Sequence, residues 1–325
     1  MAGNLIERVL KTIRNYEMLW PGDSVLVAIS GGPDSVFLLH ALNHLKSKLK
    51  IKKLVVCNLD HGLRGAESRT DSLFVKTLSK ELGLEFVHKK VDLNKSRIKN
   101  LSTEEVAREA RYEFFRDAAK KTYANIIATG HTLDDQAETI LMRLVKGSSL
   151  KGIVGISPMR EDGALRIIRP LIELEKGEIA RYLDAEKIPY RIDRTNLEPI
   201  YFRNVVRSQI IPFLENYNPR LKRVLFNLAE HLREDFEFIR DAKRKVMGGG
   251  PEIRLKDIVV QPIAIQKEVL RDALEKSGGE IKKLSFRHWK EMESLIKYKR
   301  KGSSVDLPGG IRVSRTDKVL IFKRL

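Results

Sequence analysis

The chain is almost without cysteine. Cys57 is the only one among 325 residues, so the chain can form no intramolecular disulfide and no cysteine-pair metal or redox site of its own. That usage suits a cytoplasmic address. Long apolar runs are missing as well: no window approaches the roughly 18 to 20 uninterrupted apolar residues of a membrane span. The N-terminus mixes charges with apolar residues at helical spacing, unlike a signal peptide. A soluble protein with no membrane partner is expected. Acidic charge is also in short supply, with 43 Asp and Glu against 61 Lys and Arg, a net of +18. An excess that large points to a polyanionic partner such as nucleic acid or an anionic membrane. No internal repeat or low-complexity tract is visible.

What is present is ample apolar material, 42% of residues, in a chain longer than one core usually serves, so two domains are expected. From Ser24 onward, short β-branched runs at 25–29, 53–59, 85–91 and 125–129 alternate with helical patterns at 36–45, 71–82 and 104–120. The last of these follows a Ser102-x-x-Glu105 capping pattern. This rhythm predicts βαβ units and an α/β, doubly wound, mostly parallel sheet. It fades after Pro212 and Pro219, which sets a catalytic domain at 1–215 and a smaller, basic α+β domain with a linker helix at 216–325. The second part begins with a charged amphipathic stretch, Leu221 to Val246, and a Gly-Gly-Gly-Pro breaker at 248–251. Helical patterns at 261–277 and 286–298 and a hairpin at Pro308-Gly309-Gly310 complete it. It carries a net of +11 against +7 for the longer first part.

Chemistry concentrates where strands end. Ser30-Gly31-Gly32-Pro33-Asp34-Ser35 lies between an apolar strand and a helix. Its glycines allow close backbone approach to an anion, and the helix start aims N–H groups at the same place. Phosphate is the natural occupant. A Walker A loop would carry Lys before its last hydroxyl residue; Asp34 stands there, which disfavours γ-phosphoryl transfer. The fourth strand runs into Gly130-His131-Thr132-Leu133-Asp134-Asp135, with Glu138 one helical turn on. Thr132-x-x-Asp135 can serve as an N-cap box, yet three carboxylates at one helix start repel one another unless a cation sits nearby. Asp60-His61 follows the second strand, and Arg108 and Arg111 share a helix face beside Tyr112 and Phe115.

These motifs carry a resemblance. SGGPDS resembles the SGGxDS motif of the PP-loop ATP pyrophosphatases. Asp60 to Arg64, the ARYEFF stretch behind Arg108, and Gly130 to Thr139 are similar to elements of the tRNA(Ile)-lysidine synthetase family, as are Asp193 to Asn196 and Tyr201 to Arg207. One departure is Lys146-Gly147-Ser148-Ser149, where relatives read R-G-(S/T)-G. The resemblance covers essentially the whole chain, and the C-terminal piece looks like the first C-terminal domain of longer members.

The resemblance implies an ATP-dependent ligase. It would adenylate the wobble cytidine of a tRNA(Ile) with a CAU anticodon and couple free L-lysine at C2 to give lysidine, releasing AMP and pyrophosphate. ATP would bind at Ser30, Gly31, Gly32, Pro33, Asp34, Ser35, Asp60, His61, Gly130 and His131. Asp34 and Asp135 would ligate Mg2+, and Asp34, Arg111, Asp134 and Asp135 would act in catalysis, with Arg111 on the α-phosphate and Asp134 or Asp135 deprotonating the lysine. Glu138, Arg203, Asn204 and Arg207 would meet the substrate or tRNA, and the basic C-terminal part with Leu221 to Val246 would contact phosphates. Phe286, Trp289 and Tyr298 stand at helical spacing, which predicts core positions over base stacking. A homodimer suits the family, although no residue pattern specifies one. Other readings stay open: another PP-loop tRNA-modifying enzyme, of which thiolation would need more cysteines than Cys57, or a non-catalytic nucleotide- or RNA-binding protein.

Overall fold

A computed structural model describes residues 2–60, 66–91, 103–192, 202–246, 252–279 and 281–325, which form two compact units, 1–230 and 231–325. In the first unit, α1 (Ala2–Asn15) precedes β1 (Ser24–Ala28), α2 (Pro33–Leu45), β2 (Lys53–Asp60), α3 (Ala66–Glu81) and β3 (Glu85–Lys90). Then come α4 (Thr103–Thr122), β4 (Ile126–Ala128), α5 (Leu133–Lys146) and a short α6 (Leu150–Ile153). The hairpin β5 (Met159–Asp162) and β6 (Leu165–Ile168) leads to α7 (Lys176–Ala185). After that follow α8 (Phe202–Val205), a π-helical turn at Val206–Ile210, α9 (Ile211–Glu215) and α10 (Leu221–Val246).

The sheet order is β3-β2-β1-β4-β6-β5, parallel except for β5, which pairs antiparallel with β6. Strand residues alternate between two apolar layers, as buried parallel strands do. Val25, Val27 and Val56 pack with α1, α2 and α7, through residues such as Leu10, Phe37 and Ile179. Leu26, Val55 and Cys57 face Phe114, Phe115 and Ala118 of α4. Because the chain leaves β1 for β2 and later returns to β1's other side as β4, the direction of winding reverses between β1 and β4. In open α/β sheets that crevice is the ligand position.

The first three helical turns of α10 belong to this unit: Leu225 and Ala229 are buried against Ala137, Ile140 and Leu141 of α5. The second unit is an antiparallel sheet, β7 (Glu252–Arg254), β8 (Ser304–Leu307), β9 (Ile311–Arg315) and β10 (Val319–Arg324), in the order β7-β10-β9-β8. It packs with α11 (Leu255–Ile258), α12 (Ile263–Lys276) and α13 (Phe286–Lys297). The hairpin at 308–310 joins β8 to β9 with Leu307 opposite Ile311. Trp289 packs against this core, but Phe286 and Tyr298 are 70% and 79% exposed, so the helical spacing does not bury them. Among the described residues no helix is long and apolar enough to cross a membrane.

Candidate active site

At the end of β1, Gly31 adopts φ +92, a conformation open to glycine, and Pro33 occupies the first turn of α2. Gly32 is the N-cap and has no side chain to cap with, so the helix start keeps N–H groups for a ligand. The loop is braced from within. Ser35 Oγ donates to the Gly32 carbonyl at 2.9 Å and accepts from the Ser30 N–H at 3.2 Å, and Ser30 Oγ lies 3.3 Å from Ser35 Oγ. Buried Asn58 on β2 donates to the Ile29 carbonyl at 2.8 Å and accepts from Ser72 of α3 at 3.0 Å, fixing the strand exit. The Arg191 N–H reaches the Gly31 carbonyl at 2.9 Å.

The turn after β4 lies against this loop. A Cβ on Gly130 would stand 3.3 Å from the Ser35 nitrogen, so glycine permits the approach. Thr132 caps α5, with Asp135 Oδ2 accepting from the Thr132 N–H and hydroxyl at 2.9 Å each. The expected N-cap box is therefore present, and Asp135 still has Oδ1 for other partners.

Four cations answer the three carboxylates. Asp135 Oδ1 accepts from Lys176 Nζ at 2.9 Å and Arg203 Nη2 at 3.0 Å. Glu138, 1% exposed, accepts from Arg203 Nε at 2.7 Å and Arg207 Nε at 2.6 Å. Asp134 Oδ2 accepts the Lys176 backbone N–H at 2.8 Å, capping α7, while its Oδ1 pairs with Lys222 Nζ of α10 at 2.9 Å. The π-helical turn following α8 is the type of irregularity that re-aims side chains at sites, and Arg203 and Arg207 flank its start. Burial works against the ionised form of Asp135, but Lys176 and Arg203 hold its pKa well below the usual carboxylate range.

Asp34 lies on the other side of Lys176, whose Nζ is 3.9 Å from Asp34 Oδ2. Burial pushes the Asp34 carboxyl up to about 7, with Lys176 opposing the rise and Asp135 and Asp134 adding to it. The Lys176 ammonium is raised above its ordinary value; burial opposes this, but Asp135, Asp34 and Glu138 outweigh it. Asp34 Oδ1 is buried and has no partner among the described residues. One orphaned carboxylate oxygen fits a hard cation such as Mg2+. No described trio of His, Cys, Asp or Glu would hold a metal unaided, so phosphate and water oxygens would complete the shell. Asp135 would first have to release Lys176 or Arg203.

His131 is turned toward the same rim, its Nδ1 3.0 Å from Thr129 Oγ1. Burial pulls its pKa down to about 3; Asp135 opposes this, and the nearby cations Arg169, Arg203 and Arg111 reinforce it. Arg111 thus belongs to the surroundings of His131, although α4 carries it at the surface; crowding by the chain, with Arg108 beside it, lowers its pKa. Asp60 ends β2 and is buried. Asn204 sits half-buried on α8. His61, the rest of the element to Arg64, Ser102, Asp193 to Asn196, Tyr201 and the 248–251 breaker lie outside the described residues.

Sequence reasoning missed Lys176, Lys222 and Arg169. Lys222 falls in the stretch expected to contact phosphates, but its ammonium is held by Asp134, with Glu215 3.3 Å away. A demand for cations beside three clustered carboxylates was readable; which lysines would answer it was not. Cys57 is buried in β2, and burial pushes its thiol pKa up, so it has no reactive character.

A glycine loop at a sheet's switch point, backed by an acidic helix start, defines a PP-loop nucleotide-using protein, and a family profile described as a PP-loop domain matches residues 3–214. The chain is 36% identical over 328 residues to the tRNA(Ile)-lysidine synthase of Clostridioides difficile, covering 98% of this chain and 70% of that protein. It is 33% identical to that of Caldanaerobacter subterraneus subsp. tengcongensis, with 98% and 69% covered, and 34% identical to that of Geobacter sulfurreducens, with 98% and 70% covered. The chain belongs to the tRNA(Ile)-lysidine synthase family. Among solved structures, the U34-tRNA thiolase NcsA of Methanococcus maripaludis shares the fold, with a TM-score of 0.58 at 20% identity over 70% of this chain and 78% of that one.

Proposed function

We propose that the chain uses ATP to adenylate the wobble cytidine of tRNA(Ile) with a CAU anticodon and then ligates free L-lysine to its C2, forming lysidine in the cytoplasm. The observation that carries this reading is the backbone contact between the glycine loop and the acidic turn at Gly130, which puts anion donors and ammonium-binding carboxylates on one rim.

Ser30 to Ser35 and the start of α2 would hold the pyrophosphate of ATP through oriented N–H groups, with Lys176 beside them. Asp34 would hold Mg2+ through its unpartnered Oδ1, and the ion would neutralise phosphate charge. The cytidine O2 attacks the α-phosphorus, pyrophosphate leaves, and Arg111 would stabilise the charge on the transferring group. The ε-amine of lysine then adds at C2, and the C2–O bond breaks to release AMP.

At pH 7 a lysine amine of pKa about 10.4 is neutral in about one molecule in 2,500, a handicap of roughly 4.6 kcal/mol, so carboxylates must bind and deprotonate it. Asp134 and Asp135 each hold an internal lysine ammonium at 2.9 Å, which is the contact an incoming substrate amine would make. Glu138 with Arg203 and Arg207, and Asn204, would shape the substrate side, and the basic C-terminal part would bind tRNA phosphates. Mass analysis of nucleosides from tRNA incubated with the protein, ATP and lysine tests the reading: a cytidine heavier by lysine minus water is expected, and unmodified cytidine with no pyrophosphate released would overturn it.

A further inference from the structure

One strand further along the sheet from the acidic turn, three guanidinium groups meet on one phenol. Arg169 follows β6 and is 3% exposed. Its backbone N–H bonds the Pro158 carbonyl at 2.9 Å, its Nη1 bonds the Ser157 carbonyl, and its Nε is buried with no partner among the described residues. Arg160 of β5 stands with Cζ 4.7 Å from the Tyr112 ring centre, and its Nε is likewise buried and unpartnered. Arg108, one helical turn before Tyr112 on α4, holds its Cζ 5.5 Å from the same ring. Arg169 is close enough for its charge to act on the phenol, as the charges of Arg108 and Arg160 do.

Elsewhere in this unit, the mostly buried Arg166 pairs with Asp23 at 2.9 Å, and the partly exposed Arg203 and Arg207 share Glu138. Here, among the described residues, the ion-pair partner of the group is Asp162, 3.9 Å from Arg160 and already paired with Arg116 at 3.0 Å. A buried cation without a counter-charge is costly, and a ligand anion removes that cost.

We infer that Arg108, Arg160 and Arg169, framed on Tyr112, form a second anion subsite that holds a backbone phosphodiester of the RNA strand beside the nucleotide being activated. The inference rests on the proposed tRNA reading. The pyrophosphate of ATP has its donors at the end of β1, two strands from β6, and the lysine amine is drawn to carboxylates. Three guanidinium forks match a tetrahedral phosphate and exceed what a single carboxylate requires. Exposed Arg108 leaves the subsite open to a strand. Such a contact reads no base; it sets the register in which the cytidine meets ATP. The cations also pull the Tyr112 hydroxyl pKa below its ordinary value against the effect of burial, and burial brings Arg169 down to about 10.

The test is a double variant, Arg108→Gln with Arg160→Gln, in the full-length protein. Expected are a KM for anticodon stem-loop RNA raised about tenfold, a salt slope of RNA binding shallower by about 0.7 for one lost single-strand phosphate contact, and unchanged KM values for ATP and lysine. A rise confined to ATP or to lysine would reassign the subsite to that substrate's phosphate or carboxylate and overturn the proposal, as would no change or an equal loss for all three. If the unaltered protein binds no tRNA, the functional reading fails as well; if it modifies tRNA and only the variant result disagrees, the subsite alone fails. Should the double variant not fold, the phenolate absorbance of the native protein minus that of Tyr112→Phe isolates the Tyr112 titration. An abasic phosphodiester oligomer should move that titration to higher pH and free lysine should not; no movement with the oligomer overturns the proposal.

Discussion

A Cβ added to Gly130 would lie 3.2 Å from the carbonyl carbon of Asp34, so the turn after β4 and the glycine loop after β1 are in van der Waals contact through backbone alone. Neither partner is the end of a flexible side chain, so one loop must shift by a few tenths of an ångström to admit a methyl group. Gly130→Ala is expected to lower kcat/KM for ATP-dependent modification roughly tenfold, since misplacement by 1 Å can cost a hundredfold, while the melting temperature changes little. Steady-state kinetics alongside a thermal melt checks this, and unchanged kinetics would show that the loop contact does not matter to turnover.

Glu138 is the most enclosed carboxylate of the site and holds two arginines together. Removing one partner of a fully buried pair costs about 3 to 5 kcal/mol. Arg203 and Arg207 are 38% and 35% exposed, however, so water recovers part of the loss and Glu138→Gln is expected to destabilise by about 2 kcal/mol. Urea denaturation of the two proteins measures the difference, and activity should fall with it because Arg203 also holds Asp135.

The central sheet was legible because its strands at β1, β2, β3 and β4 are β-branched runs separated by helix-length intervals. The β5–β6 hairpin was not, since each strand has four residues and Met159 to Asp162 is mostly charged. The strand-end motifs placed Asp34, Asp134 and Asp135 in the same locality, but their cations come from α7, α8 and α10, whose distance along the chain conceals the pairing. Arg169 was hidden inside an apolar run, Ile167 to Ile172, where a lone arginine gives no periodic signal.

Arg8 of α1 and Glu178 of α7 form a fork of two hydrogen bonds that ties the N-terminal helix to the site's helix. Burial opposes ionisation of Glu178, but the Arg8 bonds and the Glu175 N–H lower its pKa below the usual value. A carboxylate with a depressed folded-state pKa stabilises fully above its unfolded value, about 4.3, and loses that contribution as pH falls through the folded value. The stability gap between the native protein and Glu178→Gln should therefore be present at pH 6 to 7 and shrink below pH 4. Both groups are about a third exposed, so the gap should be about 0.5 to 1 kcal/mol. Denaturant midpoints across this pH range test the sign, and a gap that widened in acid would contradict it.

Lys176 stands between the carboxylate proposed to hold Mg2+ and one proposed to meet the lysine amine, 3.9 Å from Asp34 and 2.9 Å from Asp135. Its ammonium does two things at once. It offsets the repulsion of acids brought together by the Gly130 contact, and it puts a positive charge where pyrophosphate would depart. Lys176→Gln removes both effects. Loss of a single preorganised donor to a developing charge typically costs about 10²- to 10³-fold in kcat, and single-turnover release of pyrophosphate should slow by that factor. Binding of tRNA, proposed to rest on cations elsewhere, should not weaken. A variant that released pyrophosphate at the native rate would place the leaving group away from α7 and dissociate the acidic turn from the adenylation step.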